Sequence, residues 1–546
     1  MTTEPRAFLA IDHGAATTSV ALIGLVAGAW RLIGSLALPA GAEIDSALHL
    51  LRRRVTAVDR DLAHGIGLAT EIDSMPRLEV RSRRPRRLTI VAGSERTLST
   101  LIGVAARSGW RVTGASVETT DPLAMTGMLL DRDVDAILTG ASDPPAPEER
   151  GAIRELAALV AAAATRRPEI PVVLAGGMAE ALAEFGLATE RPGEIVLAPA
   201  ARQPGRRRAA AADADPSAPS DPLADLLLEL ALPDDDPRRA MGTAVQALAD
   251  ALDRRVELIG LGHDASVRAS ASPAAGGVEG TPKLAVVPGA SVAPEEPDDA
   301  VIDAVTGWST LPSDRHRLRD RMRELRIAPS ADAAGEGTAL RMAAARAALH
   351  RLIAAAPDAP GTPSPDLVVT AGGVWSAIPA PAVALALVDI LRRPGASQFA
   401  LDHARLLGPL GAIPDPHERL AVMGDLADDL LAPLGSVVMP AGLHAGRSAG
   451  NLLIHADGAT SELDLVPGGL ELVDLPPGAT AVAEFRFRDT VRLGARGRHF
   501  AIDVAGGLGG LLVDLRDVPL RLPDRADRRR DLLSAWQRAL WAGGDA

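Results

Sequence analysis

A candidate phosphate-binding loop lies near the beginning of the chain, between two apolar runs. The segment AFLAIDHGAATTSVALIG, residues 7–24, breaks at Asp12 and becomes apolar again after Thr18. A glycine such as Gly14 lets backbone N–H groups approach phosphate oxygens, and the hydroxyls of Thr17 and Thr18 add donors. An aspartate at a strand end, here Asp12, can hold Mg²⁺ through water. An ordinary β-turn has the same composition, so this motif alone leaves both interpretations open.

A second candidate is a pair of glycines between a strand and a helix. In DLVVTAGGVWSAIPAPAVALALVDIL, Gly372 and Gly373 follow an apolar run, and Pro379 stands near the first turn of the predicted helix. Without Cβ atoms, such a pair allows a flat purine and its ribose to lie against the backbone. Close packing of the strand against its neighbours accounts for the same pair without a ligand.

The composition excludes several other chemistries. The 546-residue chain has no cysteine, which rules out disulfides, iron–sulfur clusters and thiol catalysis. The only lysine, Lys283 in GTPKLAV, suits neither a Walker A loop nor the strand lysine of a protein kinase. The net charge of −13 argues against nucleic acid as the main ligand. The sequence contains no HExxH motif, so no zinc protease site of that type is predicted, and no Ser–His–Asp triad is assigned.

The first two hundred residues alternate apolar runs with amphipathic stretches, which predicts an α/β lobe over residues 1–200. The predicted strands are residues 7–12, 18–24, 30–38, 88–93, 111–118, 135–140, 171–177 and 194–199, and the predicted helices begin near residues 44, 94 and 148. In the first helix, Ile44, Leu48, Leu51 and Val55 share one face.

A linker is predicted over residues 201–222, which are rich in Arg, Ala, Asp and Pro. A second α/β lobe is predicted over residues 223–430, with a strand at 256–262, a Pro/Gly/Ser-rich loop near 272–300, a helix at 338–356, a strand at 366–373 and a helix at 380–392. Residues 431–546 consist of short alternating runs separated by Gly and Pro, followed by an amphipathic stretch. They predict an all-β module that ends in a helix over residues 524–541.

The chain resembles the glutamate mutase L family, also called MutL but unrelated to the mismatch-repair protein, within the actin, hexokinase and Hsp70 class of ATPases. The resemblance rests on LAIDHGAATTSVALIGLVAGAWRLIG, LTIVAG, DAILTGASD, VVTAGGVWSAIP, LLGPLGAI and SVVMPAGLHAGRSAGNLLIHADG. It implies a two-lobed actin-like fold, with ATP or ADP and Mg²⁺ in the cleft and a C-terminal all-β module.

The resemblance also implies a role. Members of the family accompany adenosylcobalamin-dependent mutases and act as chaperones or reactivating factors for them. Carried over to this sequence, Asp12, Gly14, Thr17 and Thr18 hold the phosphates, with Mg²⁺ at Asp12 through water, and Gly372 and Gly373 contact the adenosine.

The sequence departs from this class at the second phosphate loop, VELIGLGHDASVRASA. Aligned on Gly262, the expected aspartate falls on Gly260, and the threonine positions fall on Asp264 and Ala265. Gly262 and Asp264 are therefore predicted to face the nucleotide, with Asp264 as a displaced substitute for the missing carboxylate. A second departure is TGASDPPAPEE, where Pro144 and Pro145 stiffen a turn that is rich in glycine in the family.

Because phosphoryl transfer depends on positioned charge, the lost carboxylate predicts nucleotide binding with weak or absent hydrolysis. No catalytic base is assigned, so the chain is at most a weak ATPase. The alternatives are a scaffold that binds a protein partner without nucleotide, and a small-molecule kinase on the same fold. The N-terminal residues include Glu4 and Arg6 and no cleavable apolar stretch, and the longest apolar run contains Gly and Pro. A cytoplasmic protein is therefore expected.

Overall fold

The computed structural model describes a mixed α/β protein with four sheets. It covers residues 7–68, 75–143, 145, 149–180, 194–201, 221–274, 280–312, 314–328, 335–358, 362–375, 378–444, 446–456 and 458–540. Most of the predicted linker, residues 202–220, lies outside these ranges. Within them, no helix combines the length and the apolar character that a bilayer crossing requires.

The first sheet is a three-stranded meander with one parallel strand added. Its strands are β1 (Ala7–His13), β2 (Thr17–Val26), β3 (Ala29–Pro39) and β4 (Arg77–Arg81), in the order β3-β2-β1-β4. Helices α1 (Ile44–Val58) and α2 (Arg60–Gly65) pack on one face. Leu48, Leu51 and Val55 of α1 are buried there, as their spacing predicts, whereas Ile44 is only partly buried.

The second sheet is entirely parallel. Its strands are β5 (Arg87–Ala92), β6 (Arg111–Ser116), β7 (Ala136–Ala141), β8 (Val172–Gly176) and β9 (Ile195–Ala198), in the order β6-β5-β7-β8-β9. Helices α3 (Glu95–Ala105), α4 (Pro122–Leu129) and α5 (Glu149–Arg166) connect them. The predicted strands and the helices α3 and α5 are confirmed, and α4 was not predicted. The second sheet is separate from the first. Strand β4 ends at Arg81, and Pro85, which has no backbone N–H for a sheet hydrogen bond, lies in the short connection to β5.

The third sheet repeats the strand order of the first. Its strands are β10 (Val256–Gly260), β11 (Ser266–Ala271), β12 (Lys283–Val287), β13 (Leu367–Ala371), β14 (Gly395–Asp402), β15 (Leu431–Met439), β18 (Leu470–Val473) and β21 (Leu511–Asp514). They lie in the order β12-β11-β10-β13-β14-β15-β21-β18. The antiparallel meander β10-β11-β12 with the parallel strand β13 corresponds to β1-β2-β3 with β4. This duplication is consistent with the two-lobed nucleotide-binding fold that the sequence predicts.

The helices of the second half surround this sheet. They are α6 (Pro222–Ala231), α7 (Pro237–Leu252), α8 (Asp299–Trp308), α9 (Arg315–Ile327), α10 (Glu336–Ala355), α11 (Ala380–Leu391), α12 (Leu407–Gly411) and α13 (Pro416–Leu430). The helices α10 and α11 confirm the prediction. The loop predicted near residues 272–300 is wrong in part, because β12 and the start of α8 lie within it. The apolar run of β12 is short, and its pairing with β11 stabilises it as a strand.

The C-terminal residues contribute to two sheets. Strands β16 (Gly450–Ala456), β17 (Ala459–Leu465), β19 (Thr480–Leu493) and β20 (Ala495–Ala505) form an antiparallel sheet in the order β17-β16-β19-β20. Alternate residues of β19 are buried, as the pattern predicts, and Phe485 stacks on Phe487 with ring centres 5.8 Å apart. Strands β15, β18 and β21 extend the third sheet, and helix α14 (Ala526–Ala539) follows.

The first sheet packs directly on the second half of the chain. Phe8 and Ile23 share a core with residues of α7, α12 and α13. The backbone N–H of Trp30 donates to Asp425 Oδ2 at 2.9 Å, and that of Leu32 donates to Asp429 Oδ2 at 3.1 Å. These contacts fix β1 and β2 against the third sheet, so the loops at the ends of both meanders keep a defined separation.

A buried network of charges joins β21 to the helices of the second half. Arg516 is 2% exposed, and its guanidinium donates to Asp389 at 2.7 Å and to Asp514 at 2.8 and 2.9 Å. Asp389 also accepts from Arg346 Nε at 2.6 Å, and the Arg516 guanidinium lies 4.4 Å from the ring centre of Trp536. Buried charges are tolerated only while their partners are present, so this network holds strand β21 and helix α14 to the second half.

Removing the shared carboxylate with Asp389→Ala leaves two buried arginines short of a partner. We expect the free energy of unfolding to fall by about 3–5 kcal/mol. Urea unfolding followed by tryptophan fluorescence measures this change. The matched control is Asp489→Ala, which removes the exposed pair with Arg447 and is expected to cost about 1 kcal/mol or less. Equal small losses in the two variants would contradict a structural role for the network.

Candidate functional site

The predicted loops meet at a cleft between the first and third sheets. The empty space in it, including the opening to solvent, is about 790 Å³. Of the predicted residues, the cleft is lined by Asp12, Gly14, Thr17, Gly262, Asp264, Gly372 and Gly373. Thr18 is buried on β2 and does not line it.

The first loop is a tight hairpin between β1 and β2. His13 pairs with Thr18, so the turn comprises Gly14 to Thr17. The Gly14 N–H donates to the Thr17 carbonyl at 3.0 Å, and a Cβ on Gly14 would lie 2.7 Å from that carbonyl oxygen. Glycine is therefore required for the turn itself, in addition to any role beside a ligand.

The second loop is built in the same way between β10 and β11. Gly260 pairs with Val267 as Asp12 pairs with Ser19, and a Cβ on Gly262 would lie 2.5 Å from the Ala265 carbonyl. The register confirms that Gly260 stands where the first loop has Asp12. It corrects the predicted threonine positions by one residue: Thr17 corresponds to Ala265 and Thr18 to Ser266, because the two hairpins have equal length.

Asp264 is engaged in an ion pair at the tip of the second loop. It is 8% exposed, and its Oδ1 accepts from Arg326 Nη2 at 2.6 Å. Arg326 also donates to the Ala293 carbonyl at 2.9 Å, which anchors the guanidinium outside the turn. Asp264 lines the cleft, but replacing the carboxylate missing at Gly260 would require it to leave this pair.

Close packing explains the first glycine of the pair, and the second lies against a flexible side chain. Gly372 has φ +120°, and a Cβ there would lie 2.1 Å from the Leu261 carbonyl oxygen of the second loop. A Cβ on Gly373 would lie 2.8 Å from Arg405 Nη2 and 3.7 Å from Thr17 Oγ1. Contact of either glycine with adenosine stays a prediction.

Asp12 is a buried carboxyl group without a complete set of partners. It is 9% exposed, and its Oδ1 makes no hydrogen bond within the described part of the chain. Burial raises the pKa of Asp12 to about 7; the positive charge of Arg405 opposes this rise, and the charges of Asp402 and Asp236 add to it. A polar group this deep in a cleft is typical of functional sites.

The two neighbouring carboxylates are fully occupied. Asp402 accepts the backbone N–H groups of Leu406 at 2.9 Å and Leu407 at 3.1 Å, one on each oxygen. Asp236 accepts from the backbone and side chain of Arg238 at 3.0 and 2.8 Å and caps the N-terminus of α7. Asp12 is thus the carboxylate of this group that has an oxygen open to a ligand.

Sequence reasoning missed several polar and charged residues of the site, among them Asp236, Arg238, Asp402 and Arg405. A signal existed for Asp402, which ends the apolar strand β14 as Asp12 stands near the end of β1. Arg405 follows three residues later in a run without a recognisable motif. Only the packing of the two halves brings it to the first loop.

The predicted magnesium site at Asp12 stays a prediction. No group of three or more His, Asp or Glu side chains in the described ranges has the geometry to hold a metal ion. With Asp236 and Asp402 occupied, Gly260 in place of an aspartate and the Arg405 charge nearby, the described residues do not fit a divalent cation held directly by the protein.

The proline-containing turn does not belong to the cleft. Pro144 lies outside the described residues. Ser142 and Pro145 lie near Gly177, beyond the carboxyl ends of β7 and β8 in the second sheet, and do not line the cleft. The stiffening expected from Pro145 therefore acts away from the candidate site.

Comparison with known proteins gives no family for the chain. No protein-family model and no curated protein sequence matches it. Three solved structures of Aquifex aeolicus proteins, titled a PPX-GPPA enzyme, a type II variant of a Ppx/GppA phosphatase and a Ppx/GppA family member, are 8%, 8% and 7% identical. The alignments cover 77%, 78% and 78% of this chain and 89%, 90% and 88% of those chains, with TM-scores of 0.19, 0.18 and 0.18. Scores this low support no conclusion, so the site rests on its own geometry.

Neutralising the buried carboxyl group with Asp12→Asn should stabilise the protein most at high pH. Because the pKa of Asp12 is raised in the folded state, its contribution to stability is complete below about pH 4 and is lost as the pH rises through about 7. The variant should therefore gain about 2–4 kcal/mol over the wild type at pH 8 and much less at pH 4.5.

Urea unfolding of Asp12→Asn and wild type at the two pH values measures this difference. Asp489→Asn, at an exposed position, serves as the control and should show little change at either pH. A gain of the same size at pH 4.5 and pH 8 would contradict the raised pKa.

Proposed function

We propose that the chain binds an adenine nucleotide in the interlobe cleft and hydrolyses it weakly or not at all. The observation that carries this proposal is the convergence of the two corresponding hairpin turns and the glycine pair on one cleft. Two turns that present backbone to the same space, with a hydroxyl at Thr17, suit the phosphates of a nucleotide. The glycine pair lies in the wall of the same cleft.

Weak hydrolysis follows from the carboxylates. An actin-like ATPase needs charge positioned about the attacking water and the phosphates. Here Gly260 has no side chain, Asp264 is paired with Arg326, and Asp402 is bonded to backbone amides. Asp12 alone is open, and its raised pKa leaves it only partly ionised at neutral pH. The same shortage disfavours the small-molecule kinase, which needs a free aspartate beside a substrate hydroxyl.

The scaffold alternative has a specific observation in its favour. Gly372 is required by the close approach of the Leu261 carbonyl whether or not a ligand binds. If packing were the whole reason for these loops, the chain would keep the fold and bind only a protein partner. Nucleotide binding is therefore the property to measure first.

The accessory role is the finer part of the proposal and rests on the resemblance to the glutamate mutase L family. In this role, nucleotide binding regulates a contact with an adenosylcobalamin-dependent mutase. The test is a reactivation assay in which such a mutase from the same organism, inactivated by turnover, receives the purified chain with and without ATP. Recovery of mutase activity only with the chain and ATP supports the role, and no recovery counts against it.

Nucleotide binding is tested by calorimetric titration of ATP and ADP, each with Mg²⁺, into the wild type and Asp12→Ala. We expect binding by the wild type and a loss of about 10-fold or more in the variant, because the carboxyl group that can hold Mg²⁺ through water, or donate to a phosphate oxygen when protonated, is removed. Asp489→Ala should bind as the wild type does. Absence of binding by the wild type would favour the scaffold.

Weak hydrolysis is tested by restoring the missing carboxylate. A Cβ on Gly260 would lie 3.5 Å from Val267 Cβ and 3.6 Å from Met241 Sδ, which are ordinary contacts. Gly260→Asp should therefore be accommodated, and we expect its steady-state rate of phosphate release from ATP to exceed the wild-type rate by about tenfold or more. Gly260→Asn has the same size without the charge and should not change the rate. A wild-type rate typical of efficient ATPases, unaltered by Gly260→Asp, would contradict the proposal.

A further inference from the structure

Arg405 stands at the meeting point of the two halves of the cleft. Its Nη1 donates a hydrogen bond to Thr17 Oγ1 of the first loop. Its Nη2 lies against Gly373, where a Cβ would come within 2.8 Å of it. The guanidinium therefore contacts the two segments that were predicted to hold the phosphates and the adenosine.

The backbone around Arg405 is held in place by both halves of the chain. Asp402 accepts the N–H groups of Leu406 and Leu407, on the far side of Arg405. Ser19 of β2 donates its hydroxyl to the Ala404 carbonyl at 3.0 Å, in a buried position. Arg405 itself has φ +57°, a conformation that non-glycine residues adopt rarely and that clusters at functional sites.

The guanidinium is only partly used by the protein. Within the described residues, Thr17 is its hydrogen-bond partner, and no carboxylate lies within ion-pair distance. Burial lowers the pKa of Arg405, and the negative charges of Asp12 and Asp402 oppose this. Because an arginine carries five donors in a planar fork, several remain for an anion. The neighbouring Asp12 Oδ1 is buried without a hydrogen-bond partner among the described residues, and the carboxyl group can donate to a phosphate oxygen when it is protonated.

We propose that Arg405 is the cation that binds the ligand phosphates in this cleft, so that a nucleoside diphosphate or triphosphate binds without a divalent metal ion. This inference rests on the proposed nucleotide binding and names the group that provides the positive charge. A guanidinium binds phosphate oxygens in a bidentate manner. It stands where the described carboxylates do not fit a metal ion, and Thr17 orients it toward the first turn.

The proposal predicts that ADP binds in EDTA and that Arg405 is responsible. In titrations with EDTA, Arg405→Met should weaken ADP binding by about 10- to 100-fold, the range expected for a charge-assisted, bidentate contact. Adenosine, which has no phosphate, should bind Arg405→Met and wild type equally. Pyrophosphate should bind the wild type more weakly than ADP does and should lose its binding in Arg405→Met.

Three further variants separate phosphate binding from folding. Arg405→Lys keeps the charge but loses the planar fork, so it should recover part of the affinity. Thr17→Val removes the hydroxyl that orients Arg405 with almost no change in shape and should weaken ADP binding several-fold in EDTA. Arg447→Met removes an exposed arginine of the C-terminal sheet and should leave the affinity unchanged. Thermal unfolding of each variant shows whether it is folded. If Arg405→Met does not fold, the ADP affinity of Thr17→Val in EDTA tests the role of Arg405 instead.

The outcomes distinguish this inference from the function on which it rests. ADP binding in EDTA that Arg405→Met abolishes, with adenosine unaffected, supports the inference. Wild-type binding of ADP only when Mg²⁺ is present would overturn it while leaving nucleotide binding intact. So would ADP binding in EDTA that is insensitive to Arg405→Met and Thr17→Val. Absence of ADP binding both with Mg²⁺ and in EDTA would overturn the proposed function itself.

Discussion

The segment from Asp402 to Leu407 is the constraint on which the candidate site depends. Asp402 ends a strand of the second half and accepts two backbone amides, and Ser19 of the first half bonds to the Ala404 carbonyl between them. The side chain of Arg405 then reaches Thr17. One short segment thus couples the first hairpin turn to the third sheet, and the cleft has its shape because the two halves cannot separate freely there.

A hairpin turn with glycine at its first position occurs in both halves, but the two copies differ in charge. The first copy carries Asp12, buried and open at one oxygen, and the second carries Gly260 with Asp264 tied to Arg326. In a site that transfers phosphoryl groups, paired carboxylates orient water and metal. Here the negative charge is reduced and an arginine lies among the loops, an arrangement suited to holding a phosphate in place and poorly suited to cleaving it.

The local features of the fold could be predicted from the sequence. The strand β1, the turn at Gly14 and the buried face of α1 follow from apolar runs and from Leu48, Leu51 and Val55 at helical spacing. The assembly of those elements could not. Strand β12 is too short to recognise without its partner β11, and β15, β18 and β21 have the alternating or apolar composition of a separate β module yet extend the third sheet. Arg405 could not be predicted because its role depends on contacts between residues almost four hundred positions apart.

Hydrogen–deuterium exchange with and without ADP, in EDTA, tests the central claim that both hairpin turns and the Arg405 segment form one phosphate site. We predict slower amide exchange on ADP binding in peptides covering residues 12–18, 260–266 and 402–407, with no change in the second sheet or the C-terminal antiparallel sheet. Protection confined to a different region, or to one hairpin without the Arg405 segment, at saturating ADP would contradict the account.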